Sequence, residues 1–317
     1  MPADPAPESV HALAEARARA RRERDWDTAD RLKTEIEATG WKVIDAATLY
    51  SLERAAPPDV VDGDVVRYGS SASVPSRLDE PARPGVTIVL VADGTSAAAE
   101  RSLAALERHA PAGSQVVVVA NGPAVVAPPS SLVVEVLATS VRLPHAAALN
   151  AGIRRATGSI VIVLAAGIGP PTGTIEALAA ALDDPGVAIA GSVGLVTDDL
   201  ARWERAATGQ TVVAGLAGEA MAFRRADYAA RGPLDEVFGD SAFVAPWWSL
   251  VLRDTGEDEP DDAAPRSAVV VPGEPLPGAE PWTWTATGPE ADRAGRKGRY
   301  RLLRWFAGRR DLVVRPG

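Results

Sequence analysis

The stretch Ala146-Ala-Ala-Leu-Asn-Ala-Gly-Ile-Arg-Arg-Ala-Thr-Gly-Ser-Ile-Val-Ile-Val-Leu164 decides the fold class of this chain. Residues 146–156 read as a helix, and Gly158 punctuates its end. Ile160 to Leu164 is then an unbroken apolar run, short and largely β-branched, which reads as a strand buried on both faces. A helix feeding directly into such a strand is part of a repeating α/β pattern.

The same texture continues in both directions. Upstream, Val86 to Ala92 predicts a buried strand and Ser96 to His109 an amphipathic helix with Leu103 and Leu106 inward. Gln115 to Ala120 predicts a second strand, ending at Asn121-Gly122, and Val133 to Leu137 a third. Downstream, helices are expected over 174–182, 227–231 and 247–254, and strands over 187–192, 219–223 and 268–272. Alternation of this kind predicts an α/β domain with a largely parallel sheet.

The ends of the chain read differently. Ser9 to Asp45 has the pattern of a helical hairpin: a charged run through Arg24, a cap at Asp25, a second run with Ala29, Leu32 and Ile36 at helical spacing, and a stop at Gly40. Ala55 to Pro84, rich in Pro, Ser and Asp, reads as a linker. Asp292 to Leu312 gathers Arg293, Arg296, Lys297, Arg299, Arg301, Arg304, Arg309 and Arg310 beside Tyr300, Leu303, Trp305 and Phe306, a basic amphipathic helix. The acidic run Asp254 to Asp262 reads as a solvated loop. The expected organisation is therefore a hairpin at 1–50, a linker at 51–84, an α/β domain at 85–288 and a basic helix at 289–317.

Composition narrows the chemistry. In 317 residues there are 33 Lys and Arg against 42 Asp and Glu, a net charge of −9, which disfavours a chain coated in basic charge for non-specific nucleic-acid binding. The absence of cysteine removes disulfides, thiolate nucleophiles and Cys-based metal centres together. His11, His109 and His145 are the only imidazoles and lie far apart in sequence. Nothing resembles a secretory signal, and the longest apolar stretch, Ile160 to Ile168, is about half of what a bilayer span needs. A soluble cytoplasmic protein is the expectation.

Order and spacing from Val86 to Gly256 resemble a family 2 glycosyltransferase on the GT-A fold. Val117-Val-Val-Ala-Asn-Gly122 matches the family's V-V-V-D-N-G except for its acid. Residues 146–158 fit A-x-x-x-N-x-G-x-x-x-A-x-G, while 218–225 and 232–238 resemble G-x-x-M-A-F-R-R and G-P-F-D-E-x-F. The resemblance implies a GT-A, Rossmann-like mixed sheet flanked by helices, and inverting sugar transfer from a nucleotide sugar to a glycan or lipid-linked acceptor. It places Asp93, Asn121, Asn150 and Gly152 near the nucleotide, and makes Asp235 and Glu236 the first choice for an acceptor-side acid, with Asp240 as a displaced base.

The departures fall on chemistry. Where the family carries an Asp-x-Asp for Mg or Mn, this chain has Ala165-Ala166-Gly167, so no metal ligand comes from that motif. Val244 and Ala245 fill the acidic positions ahead of Trp248-Ser-Leu-Val-Leu-Arg-Asp-Thr-Gly256, and Ala120 replaces the acid of the second strand. The resulting expectation is a glycosyltransferase-like protein with reduced or lost activity, with Mg or Mn needed only if it is active. The alternative is a catalytically silent nucleotide-sugar-binding or scaffold protein. Asp198, Asp199 and Glu219 are further carboxylates that the fold would bring toward the ligand edge of the sheet.

Ala16 to Asp45, with Arg24-Asp-Trp-Asp-Thr-Ala-Asp30 at its centre, resembles the C-terminal helical segment of cysteinyl-tRNA synthetases. The arginines of this segment would either contact RNA phosphates or be solvated on an interaction hairpin. The C-terminal basic helix likewise has two readings. Either it lies on an anionic membrane, or Trp282, Trp284, Trp305 and Phe306 pack it on the domain.

Overall fold

The structure is a computed structural model and describes residues 6–46, 49–54, 57–93, 96–123, 125–129, 131–238, 241–254, 265–273, 276–278 and 289–317. It divides into two compact units, Met1–Pro58 and Asp59–Gly317.

The first unit is the predicted hairpin with a small sheet added. Helices α1 (Glu8–Arg22) and α2 (Trp26–Ala38) are joined by a tight turn, and strands β1 (Trp41–Ala46) and β2 (Leu49–Arg54) pair antiparallel. Asp25 caps α2, its carboxylate accepting from the Thr28 N–H at 3.1 Å, and Gly40 stops it at φ +79°. Val10, Ala14, Ile36, Trp41 and Val43 form its core. Arg17 is buried and donates to Asp45 at 2.8 Å, with Arg21 paired to the same carboxylate.

The second unit is built on a sheet of 10 strands. Its strands are β3 (Val60–Asp62), β4 (Val65–Tyr68), β5 (Arg83–Asp93), β6 (Gln115–Asn121), β7 (Val134–Thr139), β8 (Gly158–Leu164), β9 (Val187–Gly191), β12 (Val212–Val213), β14 (Ala220–Arg224) and β15 (Ser267–Val270). A smaller 3-stranded sheet holds β10 (Gly194–Val196), β11 (Glu204–Arg205) and β13 (Gly215–Leu216). The helices are α3 (Ser96–His109), α4 (His145–Ile153), α5 (Thr174–Ala180), α6 (Arg225–Arg231), α7 (Ser241–Arg253) and α8 (Pro289–Phe306). Across the large sheet the order is β12, β15, β9, β14, β8, β5, β6, β7, β4, β3. β14 runs antiparallel between β8 and β9, so the sheet is mixed.

Alternation along β5 and β6 sorts the core into two layers. Val89, Val91, Val117 and Val119 join the layer of α4 and α7, while Ile88, Leu90, Val116 and Val118 join that of α3 and α5. Gly152 lets α4 approach the sheet: a Cβ there would stand 2.5 Å from Val89 Cγ1 and 3.1 Å from Val119 Cγ2.

The stretch 51–84, expected as a linker, is structured instead. It completes β2 in the first unit and supplies β3 and β4 to the second. Beyond them, the Arg77 and Arg83 amides donate to the Arg154 and Thr157 carbonyls at 2.7 and 2.8 Å. Helix α8 belongs to the second unit, burying Leu302 and Phe306 while Tyr300 and Trp305 stay exposed. Trp282, Trp284 and the acidic run beyond Asp254 lie outside the described residues. Among the described residues no helix is long and apolar enough to cross a membrane.

Candidate functional site

Parallel pairing of β5 with β6 brings Asp93 opposite Asn121 at the C-terminal edge of the sheet, where open α/β folds bind ligands. Asn121 Nδ2 donates to Asp93 Oδ1 at 2.6 Å and to the Leu143 carbonyl at 2.9 Å, and its Oδ1 accepts from the Leu143 amide at 2.8 Å. His145 and Arg142 approach the same Asp93 carboxylate at 3.6 and 3.5 Å. Burial opposes ionisation of Asp93, but hydrogen bonds from His145 and Asn121 outweigh it and hold the carboxyl below its usual range. The result is a fixed, ionised acid at the sheet edge, beside the exposed guanidinium of Arg142.

Asn150 and Gly152 are engaged within the fold. Asn150 is buried, and its Nδ2 donates to the Leu234 carbonyl and to Glu236 Oε1, each at 2.9 Å. Its Oδ1 accepts from the Leu234 amide at 2.9 Å and from the Tyr228 hydroxyl at 2.8 Å. The amide thus pins 232–238 to α4, with all four of its hydrogen-bonding positions matched inside the fold. Gly152 faces Val89 inside the core.

The acceptor-side carboxylates are also engaged. Glu236 accepts from Asn150 and from Ser71. Asp235 accepts from Arg301 of α8 at 2.5 Å and from the Val237 amide at 3.1 Å. Asp240 lies outside the described residues. Val244 and Ala245, at the acidic positions of the family pattern, are buried in the core. Arg253 is buried too, donating to the Ala214 and Leu312 carbonyls at 2.7 Å each, and burial draws its guanidinium down to about 10.

The turn at Ala165–Gly167 offers no oxygen-bearing side chain. Gly167 adopts φ +97°, and Gly278 passes so close that a Cβ on it would lie 2.2 Å from the Gly167 carbonyl. Among the described residues no group of three or more His, Asp or Glu could hold a metal ion. The Mg or Mn that the fold family implies therefore does not fit these residues.

One carboxylate does stand beside this turn. Ala220 is in register with Leu164, and the Ala165 amide donates to the Glu219 carbonyl at 3.0 Å. Glu219 is buried, and neither carboxylate oxygen has a hydrogen-bond partner among the described residues. Arg205 approaches it at 3.8 Å. Arg205 and Ser192 in turn line a cavity of about 990 Å³ between α5, the 205–210 turn, residues 270–273 and Leu276.

The mixed α/β architecture has counterparts among known proteins. Residues 86–243 match the family model of glycosyl transferase family 2. Residues 3–46 match that of the cysteinyl-tRNA ligase anticodon binding domain. The glycosyltransferase-like unit is similar in fold to GalNAc-T7 solved with UDP, GalNAc and Mn²⁺, at TM-score 0.50 and 15% identity over 71% of this chain and 48% of that one. Also similar are the mannosyltransferase PcManGT from Pyrobaculum calidifontis in complex with GDP-Man and Mn²⁺ (TM-score 0.41, 22% identity, 63% and 61% covered) and S. aureus TarS 1–349 in complex with UDP (TM-score 0.46, 12% identity, 69% and 65% covered). The chain spans between about half and two thirds of the length of these proteins. No curated protein sequence matches it.

Proposed function

We propose that the glycosyltransferase-like unit binds a nucleotide sugar without a divalent metal and has reduced or lost capacity for sugar transfer to a glycan or lipid-linked acceptor. The observation that carries this reading is the turn at Ala165–Gly167, apolar and closed over by Gly278. A leaving diphosphate needs cations to offset its growing charge, and an acceptor hydroxyl needs a base. With Val244 and Ala245 buried and Asp235 held by Arg301, neither need is met at the positions the family uses. The partly exposed Asp93 carboxylate, oriented by the buried Asn121 amide, still offers a polar edge for a nucleotide. Calorimetry with UDP-, GDP- and dTDP-sugars, with and without manganese, tests this: binding indifferent to manganese is expected, and manganese-dependent binding with measurable sugar transfer would overturn it.

A second reading concerns the first unit. Its match to an anticodon-binding domain, with Arg19, Arg22, Arg24 and Trp26 exposed around the turn between α1 and α2, favours contact with structured RNA. Replacing the three arginines by alanine should abolish a gel shift seen at low salt. The reading ends if the full chain gives no shift under those conditions.

A further inference from the structure

We propose that Glu219 and Arg205 form the polar anchor of the ligand cleft, Arg205 holding an anionic group of the ligand and the Glu219 carboxyl holding a hydroxyl beside it. The proposal rests on the nucleotide-sugar reading above and assigns residues to it.

Register is the first support. Glu219 extends the β14–β8 pairing beyond Ala220–Leu164, and its carbonyl receives the Ala165 amide at 3.0 Å. The chain thus carries a carboxyl on the strand adjoining the turn from which the family's acids are missing. Burial is the second. Both Glu219 oxygens are shut from solvent and lack a hydrogen bond among the described residues, with the Arg205 guanidinium 3.8 Å away. A buried carboxyl without hydrogen bonds costs a fold free energy that a single long ion pair offsets only in part, so packing does not explain its presence. Burial also pushes the Glu219 carboxyl up.

The surroundings indicate the ligand. Arg205 is half exposed and borders the 990 Å³ cavity, a volume suited to a nucleotide-sized molecule. A guanidinium matches phosphate oxygens in a two-point fork. Glu219 stands behind Arg205, 3.8 Å from that guanidinium and outside the cavity's own lining, where it can bond a hydroxyl that reaches past the arginine. Ser192 Oγ and Gln210 Oε1, also lacking partners among the described residues, line the same cavity and accept from further hydroxyls. An anionic oxygen flanked by several hydroxyls is the chemistry of a sugar carried on a phosphate.

The test uses the full chain in EDTA and titrates UDP-glucose, GDP-mannose, dTDP-glucose and their parent diphosphates by calorimetry. Arg205→Ala should weaken the bound sugar nucleotide and its parent diphosphate alike, by about tenfold. Glu219→Gln should weaken the sugar nucleotide alone, bringing it to the affinity of the parent, while raising the melting temperature because a buried acid without hydrogen bonds is gone. Wild-type binding that survives both substitutions unchanged overturns the anchor and leaves the reading standing. A lowered melting temperature in Glu219→Gln overturns it too, by making Glu219 structural. Wild-type protein that binds none of the six ligands overturns the reading and the anchor together.

Discussion

The guanidinium of Arg301 donates to the Asp235 carboxylate at 2.5 Å, tying helix α8 to the 232–238 segment. Asp235 is mostly buried and Arg301 partly so, and the same guanidinium lies 5.6 Å from the centre of the Trp305 ring. Partial burial gives this pair more worth than an exposed one. A double-mutant cycle with Asp235→Asn and Arg301→Gln, followed by urea denaturation, should return a coupling of about 1 kcal/mol. Strictly additive losses would mean that α8 is held by Leu302 and Phe306 alone.

Asn150→Ala should cost about 2–4 kcal/mol, because it strands the Leu234 amide and carbonyl and the buried Tyr228 hydroxyl at once. Denaturant midpoints check this. If Asn150 instead served a nucleotide, the substitution would leave stability nearly intact and remove binding.

Gly152→Ala forces a methyl against Val89 Cγ1 at 2.5 Å. The expected loss is about 1–3 kcal/mol, as for other overpacked cores. Adding Val89→Ala should recover part of it. Failure of that second change to help would show that the backbone of α4, not the Val89 side chain, sets the limit.

Two acids respond to pH with opposite sign. Asp93 titrates below its unfolded value, so its contribution is present above the ordinary carboxylate range near 4 and lost as pH falls through its folded value. Glu219 titrates above its unfolded value, so the fold loses stability as pH rises from that range to the folded value. Asp93→Asn should therefore flatten the acid limb of a stability profile, and Glu219→Gln should lift the neutral plateau. Parallel profiles for both variants and the wild type would contradict the assignment.

Millimolar manganese should leave the melting temperature unchanged, since a ligand stabilises only where it binds the folded state. A clear rise on adding manganese would reveal ligands that the turn at 165–167 does not provide.

Much of the second unit was legible in its residues. The apolar runs at 86–92, 115–120 and 160–164 are β5, β6 and β8, because strands buried on both faces need no alternation to be seen. β3 and β4 escaped for the converse reason: Val60, Val61, Val65 and Val66 are exposed, and their Asp- and Gly-rich surroundings read as loop. The motif singles out Asn150, but not the hydrogen bonds of its amide, since those partners lie 78 to 86 positions away. Glu219 was visible only as one carboxylate among several. What distinguishes it is register with β8, and pairing across an antiparallel strand is not written in local spacing.

The turn at Gly167 also bears on what a single substitution could introduce there. A side chain restored there would meet a left-handed backbone, φ +97°, and that backbone is braced by Gly278 against its carbonyl. An acid introduced at Gly167 by point mutation would thus sit on a strained backbone and have to displace that contact, a conformational cost separate from the cost of its charge.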